Sequence, residues 1–194
     1  TADYRGIASG ALVVNLRVLG QDGSGFASDV IEAIDWAIDH RKAYNIKVIN
    51  LSLGTPVMQP YLDDPVCSAV ERAIAAGIVV VVAAGNNGQT PDGKKIIGGV
   101  MSPGNDPGAI TVAAIDALGT AIRSDDVIAK YSSRGPTRYD LVLKPDPSYR
   151  DAQDRRPQCE LWQRPCLAGR EPGSQGARRA ARHHRPQRRR QVHP

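Results

Sequence analysis

The sequence predicts an α/β fold in which a mainly parallel sheet is flanked by helices. Three observations carry that expectation. Apolar runs of strand length recur at residues 12–19, 48–53, 78–84 and 110–115. Helix-period patterns separate the first three of these runs, and the links between elements are short and rich in glycine. Strand, helix, strand, helix, strand is the pattern of crossover units on a parallel sheet, because parallel neighbours need a covering connection.

Residues 12–19, L-V-V-N-L-R-V-L, read as a mostly buried strand that stops at Gly20 and the turn-forming Q-D-G-S-G. Ser28 is placed as the cap of the following helix, with Asp29 and Glu32 in the first turns, where the helix dipole favours acids. Val30, Ile34, Ala37 and Ile38 then fall on one face. Residues 48–53, V-I-N-L-S-L, form the next strand, closed by Gly54. The second helix is better marked: Asp64 as N-cap, Pro65 at the first helical position, Val66, Val70, Ala73 and Ile74 on one stripe, and Gly77 just past the end. Residues 78–84, I-V-V-V-V-A-A, are the uninterrupted apolar run expected of a strand buried on both faces, and G-N-N-G stops it. Residues 110–115 add a fourth strand.

With 194 residues, 41% of them hydrophobic and 23% charged, the chain has room for one ordinary domain with a sizeable core. No apolar run approaches the roughly 18 residues of a membrane span, so no membrane partner is expected. Cys67, Cys159 and Cys166 make neither an even framework nor a C-x-x-C pair, so neither a disulfide scaffold nor a thiolate metal site is expected. No basic, apolar leader follows Thr1, and the sequence reads as an excerpt. The net charge of +5 is unevenly spread. Residues 1–146 hold 13 Lys and Arg against 16 Asp and Glu, a net of −3, while residues 147–194 hold 12 Arg against 4 acids, a net of +8. That Arg- and Pro-rich tail has no Ile, no Phe and a single Val, too little apolar area to offset its ordering entropy, and is expected to be disordered.

In open α/β sheets ligands bind outside the carboxyl ends of the strands. Three candidate segments lie there: Gly23, Ser24 and Gly25; Ser52, Leu53 and Gly54; and residues 85–88. Glycine-rich strand ends let a second backbone approach, and an extended peptide adds to such an edge through main-chain hydrogen bonds. The same residues also suit plain turns. Asn86 has two readings as well. A side-chain amide at the end of a buried strand can aim its N–H at an oxyanion forming on an acyl group. An asparagine in such a turn can equally be there to take a left-handed backbone or to bond its own main chain.

The order of segments resembles the subtilisin-like serine proteases (subtilases) over nearly all of residues 6–146. G-I-A-S-G-A at residues 6–11 looks like the family's G-V-A-P-x-A, with Ser9 where proline is usual. Val18, Leu19 and the G-S-G that follows look like V-L-x-x-x-G-x-G, while residues 29–38 and 48–54 are similar to the family's central helix and pocket strand. Residues 78–88 resemble the oxyanion segment V-V-V-A-A-G-N-x-G, which puts the oxyanion asparagine on Asn86. Residues 102–105 and 110–116 look like the S/Y-P-A and V-x-A-V-D stretches, residues 131–136 resemble F-S-S-x-G-P, and Lys144, Pro145 and Asp146 resemble K-P-D. The resemblance implies a three-layer subtilisin-like fold, incomplete at both ends, and a secreted endopeptidase that cuts peptide or protein substrates by acyl transfer. It further implies that Gly23, Ser24 and Gly25 pair with substrate backbone, and that Ser52, Leu53, Gly54, Ala83, Ala84 and Gly85 line a specificity pocket. Small residues there imply an open, apolar pocket for a sizeable side chain. No organic cofactor is implied; a structural calcium is compatible with the family but falls on no particular residue.

The departures are as informative. The family's triad motifs, D-S/T-G, H-G-T-H-V-A-G and G-T-S-x-A, do not occur in these 194 residues; the first two would precede Gly6. Ser174 lies in P-G-S-Q-G, His40 at a helix end, and His183 and His184 among tail arginines. The resemblance stops after Asp146, where the composition turns to Arg, Pro, Gln and His. Translation of the tail in a shifted frame of a GC-rich gene would produce this boundary; a genuine Arg-rich extension would instead bind nucleic acid with strong salt dependence, but its run R-R-A-A-R-H-H-R-P-Q-R-R-R at residues 178–190 lacks aromatics for base stacking. The expectation is therefore a protease segment inactive alone, and the alternative from another class is a non-catalytic peptide-binding module. The sequence does not specify oligomeric state.

Overall fold

A computed structural model describes residues 6–146. The expectations for residues 147–194, including Cys159, Cys166, Ser174, His183 and His184, lie outside the described residues.

The elements run α1 (Ala27–His40), β1 (Val48–Leu51), a 3-10 turn (Tyr61–Asp63), α2 (Pro65–Ala75), β2 (Val79–Ala83), β3 (Ile110–Val112), β4 (Ile115–Asp116) and β5 (Val127–Ile128). The first three strands form one parallel sheet in the order β1-β2-β3, with Leu51 beside Val82 and Val82 beside Thr111. β4 and β5 make a separate antiparallel pair. The α/β class stands. Val30 and Ile34 of α1 and Val66, Ala69, Val70 and Ala73 of α2 form one buried cluster with Leu51, Ile78, Val80 and Val82. Among the described residues, the sheet and one helix layer are thus joined through a single apolar core.

Local chemistry accounts for α2 closely. The Asp64 carboxylate accepts hydrogen bonds from the main-chain N–H groups of Val66 at 2.8 Å and Cys67 at 3.3 Å, and Pro65 follows as the first helical residue. A cap of this type is worth about 1 kcal/mol. Gly77 ends the helix with φ +84°, a conformation that costs glycine little because it has no Cβ. α1 differs at its start. Phe26, not Ser28, occupies the cap position, with no side-chain hydrogen bond, and the Ser28 hydroxyl turns to Asp29 instead. The helix therefore begins one residue before the expected cap. At its other end His40 stacks on Trp36 and its Nδ1 lies 2.8 Å from the Trp36 carbonyl, a helix terminus as expected.

Three strand expectations are corrected. Residues 12–19 form no regular element and pair with no strand among the described residues, and Leu12 is 95% exposed. Apolar character supplies a tendency to be buried but no backbone partner, and only Val18 of this run packs on the core. β2 is buried on one face, not both: Val80 and Val82 are inside while Val79 is 47% exposed. Both helices contribute to the same cluster, so the odd-numbered positions of β2 receive no comparable cover. Residues 110–115 do not make one strand; β3 ends at Val112, and Ile115 pairs with Ile128 in the second sheet. The strand ends are tied down from far away. Lys144, buried, donates to the Ala109 carbonyl at 2.6 Å and to the Asp146 carboxylate at 2.9 Å, and that carboxylate accepts the Thr111 N–H at 2.6 Å. The K-P-D segment is thus a clasp on β3, in which Lys144 is buried and paired with a carboxylate that is 43% exposed, so loss of that carboxylate would leave the buried cation unpaired.

Candidate functional site

A cleft of about 450 Å³ opens where β1 and β2 end. β1 delivers Ser52, Leu53 and Gly54 to it, β2 delivers Ala83, Gly85 and Asn86, and the turn before α1 delivers Gly23, Ser24 and Gly25. Nine of the ten residues singled out from the sequence share this cleft. The tenth, Ala84, does not line it: its side chain is buried, and its main chain is held between the Val112 carbonyl at 2.9 Å and the Met101 N–H at 3.0 Å. Ala84 continues the buried face of β2, following Val80 and Val82, while Ala83 lies on the cleft side.

Each segment is shaped by short-range chemistry. Ser24 donates its N–H and its hydroxyl to the two oxygens of Asp22, at 3.1 and 2.7 Å, and these bonds hold the exposed Asp22 carboxyl below its ordinary range. The Gly20 N–H bonds the Ser24 carbonyl at 2.8 Å, and Gly23 takes φ +77°. Part of the G-S-G main chain is therefore engaged in its own turn. A Cβ at Gly25 would stand 2.3 Å from the Val18 carbonyl, so the chain can pass there only without a side chain.

The far wall was not singled out from sequence. Thr55 and Ser102 exchange two main-chain hydrogen bonds of 2.9 Å, which bring Met101 against the end of β1. A Cβ at Gly54 would lie 3.0 Å from Met101 Cβ, and one at Gly85 would lie 2.6 Å from its Cγ and 2.7 Å from its sulfur. The Met101 side chain thus fills the space that the two glycines leave. The expected open pocket is narrowed by it, because absent side chains at residues 54 and 85 make room for a neighbour before they make room for a ligand. Local sequence offered one signal: the S-P-G-N motif begins at the next residue.

Asn86 is exposed at the mouth of the cleft. Its backbone is not among the left-handed positions, that role falling to Gly85 at φ +98°, and no hydrogen bond holds its side chain among the described residues. Neither ordinary reason for an asparagine in such a turn applies, and the amide is available to a ligand.

Two buried groups that do not line the cleft are also perturbed. Burial, reinforced by the neighbouring Glu71, pushes the Asp106 carboxyl up to about 7, and its Oδ2 has no partner. Burial pushes the free Cys67 thiol up to about 12, which makes it inert as a nucleophile at neutral pH. Among the described residues no three His, Cys, Asp or Glu side chains gather as a metal site. No helix among them is long and apolar enough to cross a membrane.

The model of the subtilase family matches residues 2–155. Serine protease AprX of Bacillus subtilis is 41% identical over 151 residues, which cover 75% of this chain and 33% of that protein. Subtilisin E of the same species is 35% identical over 130 residues, covering 67% and 29% respectively. Among solved structures, sphericase superposes with a TM-score of 0.50 at 33% identity, over 66% of this chain and 38% of that one. The chain thus spans about a third of the length of these curated relatives.

Proposed function

Since the chain belongs to the subtilase family, a family of serine endopeptidases, we propose that residues 6–146 form the non-reacting half of a serine endopeptidase site. In this reading the cleft binds an extended stretch of a peptide or protein substrate, and the Asn86 amide stabilises the oxyanion as an acyl-enzyme forms and breaks. The observation that carries it is the Asn86 side chain: exposed, unbonded and placed at the end of β2 beside the two glycine-rich edges. Nucleophile and base are supplied by none of the 194 residues, because none stands in a triad motif. Secretion and the absence of an organic cofactor belong to the same reading.

Two preparations test it. The 194-residue chain is expected to give no turnover of peptide p-nitroanilides, since an oxyanion donor without an attacking group has nothing to act on. AprX in which residues 6–146 replace the matching segment is expected to hydrolyse them. A transplant that melts cooperatively yet turns nothing over would count against the reading. It would favour the peptide-binding module, which keeps the cleft and predicts binding without cleavage.

The wall made by Met101 gives this site a size preference. The transplant is expected to favour alanine over phenylalanine before the cleaved bond, and Met101→Gly to shift kcat/KM towards phenylalanine by about 10-fold or more, as several methylenes of pocket space are released. An unchanged ratio in a panel of substrates would show that Met101 swings aside freely.

A further inference from the structure

Nothing in the Asn86 side chain's own bonding holds it in place, so its aim must come from the backbone on either side. Both flanking residues are held by one distant serine. The Ser133 N–H donates to the Gly85 carbonyl at 2.9 Å, and the Ser133 hydroxyl oxygen accepts the Asn87 N–H at 2.9 Å. Ser133 is itself fully buried, and a Cβ at Gly85 would crowd its Oγ at 3.1 Å, so the close approach of the two segments suits a glycine there. The contact continues one residue on. The Gly88 N–H donates to the Tyr131 carbonyl at 2.8 Å, and a Cβ at Gly88 would stand 2.2 Å from the Ser132 carbonyl.

We propose that Ser133 is a positioning residue for the reaction, a clamp that sets the direction of the Asn86 amide by gripping the peptide units on both sides of it. The inference rests on the reading of Asn86 as oxyanion donor. The clamp's two bonds differ in kind. The main-chain bond to Gly85 survives substitution of the side chain, whereas the bond from Asn87 needs the hydroxyl oxygen. Ser133→Ala therefore frees the Asn87 peptide unit alone and leaves its N–H without a partner. Ser132 supplies a matched control. It is equally buried and its hydroxyl accepts the Ala114 N–H at 3.1 Å, so Ser132→Ala removes a comparable bond that does not touch residues 85–87.

The first measurement uses the 194-residue chain and needs no activity. Nitrogen-15 relaxation is expected to show rigid order parameters of about 0.85 at the Asn86 and Asn87 amides, with that of Asn87 falling towards about 0.6 in Ser133→Ala but not in Ser132→Ala. The second uses the transplanted enzyme. Ser133→Ala is expected to lower kcat between about 10- and 100-fold with KM little changed, as a misdirected catalytic dipole does, and to lower it hardly further once Asn86 is already alanine. Unchanged order at Asn87 in Ser133→Ala overturns the proposal, as does a kcat loss that adds in full to that of Asn86→Ala or is matched by Ser132→Ala. If Asn86→Ala leaves kcat unchanged, the oxyanion reading falls instead, and Ser133 loses its catalytic consequence with it.

Discussion

Asn86→Ala in the transplanted enzyme is expected to lower kcat by roughly 10²- to 10³-fold, about 3 to 4 kcal/mol of transition-state stabilisation, with KM close to its starting value. The split follows from when the interaction is made. A ground-state carbonyl lies short of the donor, and only the oxygen of the tetrahedral species, more negative and displaced, accepts the full hydrogen bond. The amide contributes little to substrate affinity for the same reason. Aspartate at this position should do worse than alanine, because it removes the donor and adds a charge of the same sign as the oxyanion. Steady-state kinetics on a good tetrapeptide substrate decide the matter: a loss carried by KM would make Asn86 a substrate-binding residue, and no loss would leave the oxyanion to main-chain donors.

The second large effect is on stability. Ile34 is 2% exposed and lies in the cluster that joins α1 to α2 and the sheet. Ile34→Ala is expected to destabilise the 194-residue chain by about 2 to 5 kcal/mol, the range for removing a large buried aliphatic side chain and leaving a cavity. Val79→Ala on the same sheet should cost far less, since Val79 is 47% exposed and leaves no enclosed void. Urea titrations followed by circular dichroism compare the two. Equal midpoints for the two variants would mean that the cluster does not carry the fold, and the lack of any cooperative transition would mean that the chain holds no stable core.

Much of the fold was legible in the residues because its causes are local. Asp64 and Pro65 mark the start of α2 through groups two and three residues away, and Gly77 marks its end through a backbone angle that only its own missing Cβ makes easy. The stripes Val30, Ile34, Ala37 and Val66, Val70, Ala73 follow from helix geometry, and both are buried. Ser28 shows where the same logic fails. A serine near a helix start is a candidate cap at more than one register, and the chain entering from Gly25 and Phe26 begins the helix two residues early. The site segments were legible as strand ends, which the β1 and β2 patterns located to within a few residues.

What the residues could not convey is which of them meet. The run 12–19 is largely apolar but pairs with no strand among the described residues, because pairing needs a second backbone in register and composition names none. The one-sided burial of β2 was hidden for the same reason: four successive valines suit either environment, and the joint packing of α1 and α2 on one face settles it. Met101 lies far along the chain from Gly54 and Gly85, and Ser133 lies 46 residues from Asn87, yet these contacts give the cleft its size and Asn86 its direction. Caps, turns and stripes arise from neighbours along the chain and so can be read in order. Pocket volume and dipole direction arise from contacts between distant segments, which come into being when the core closes around them.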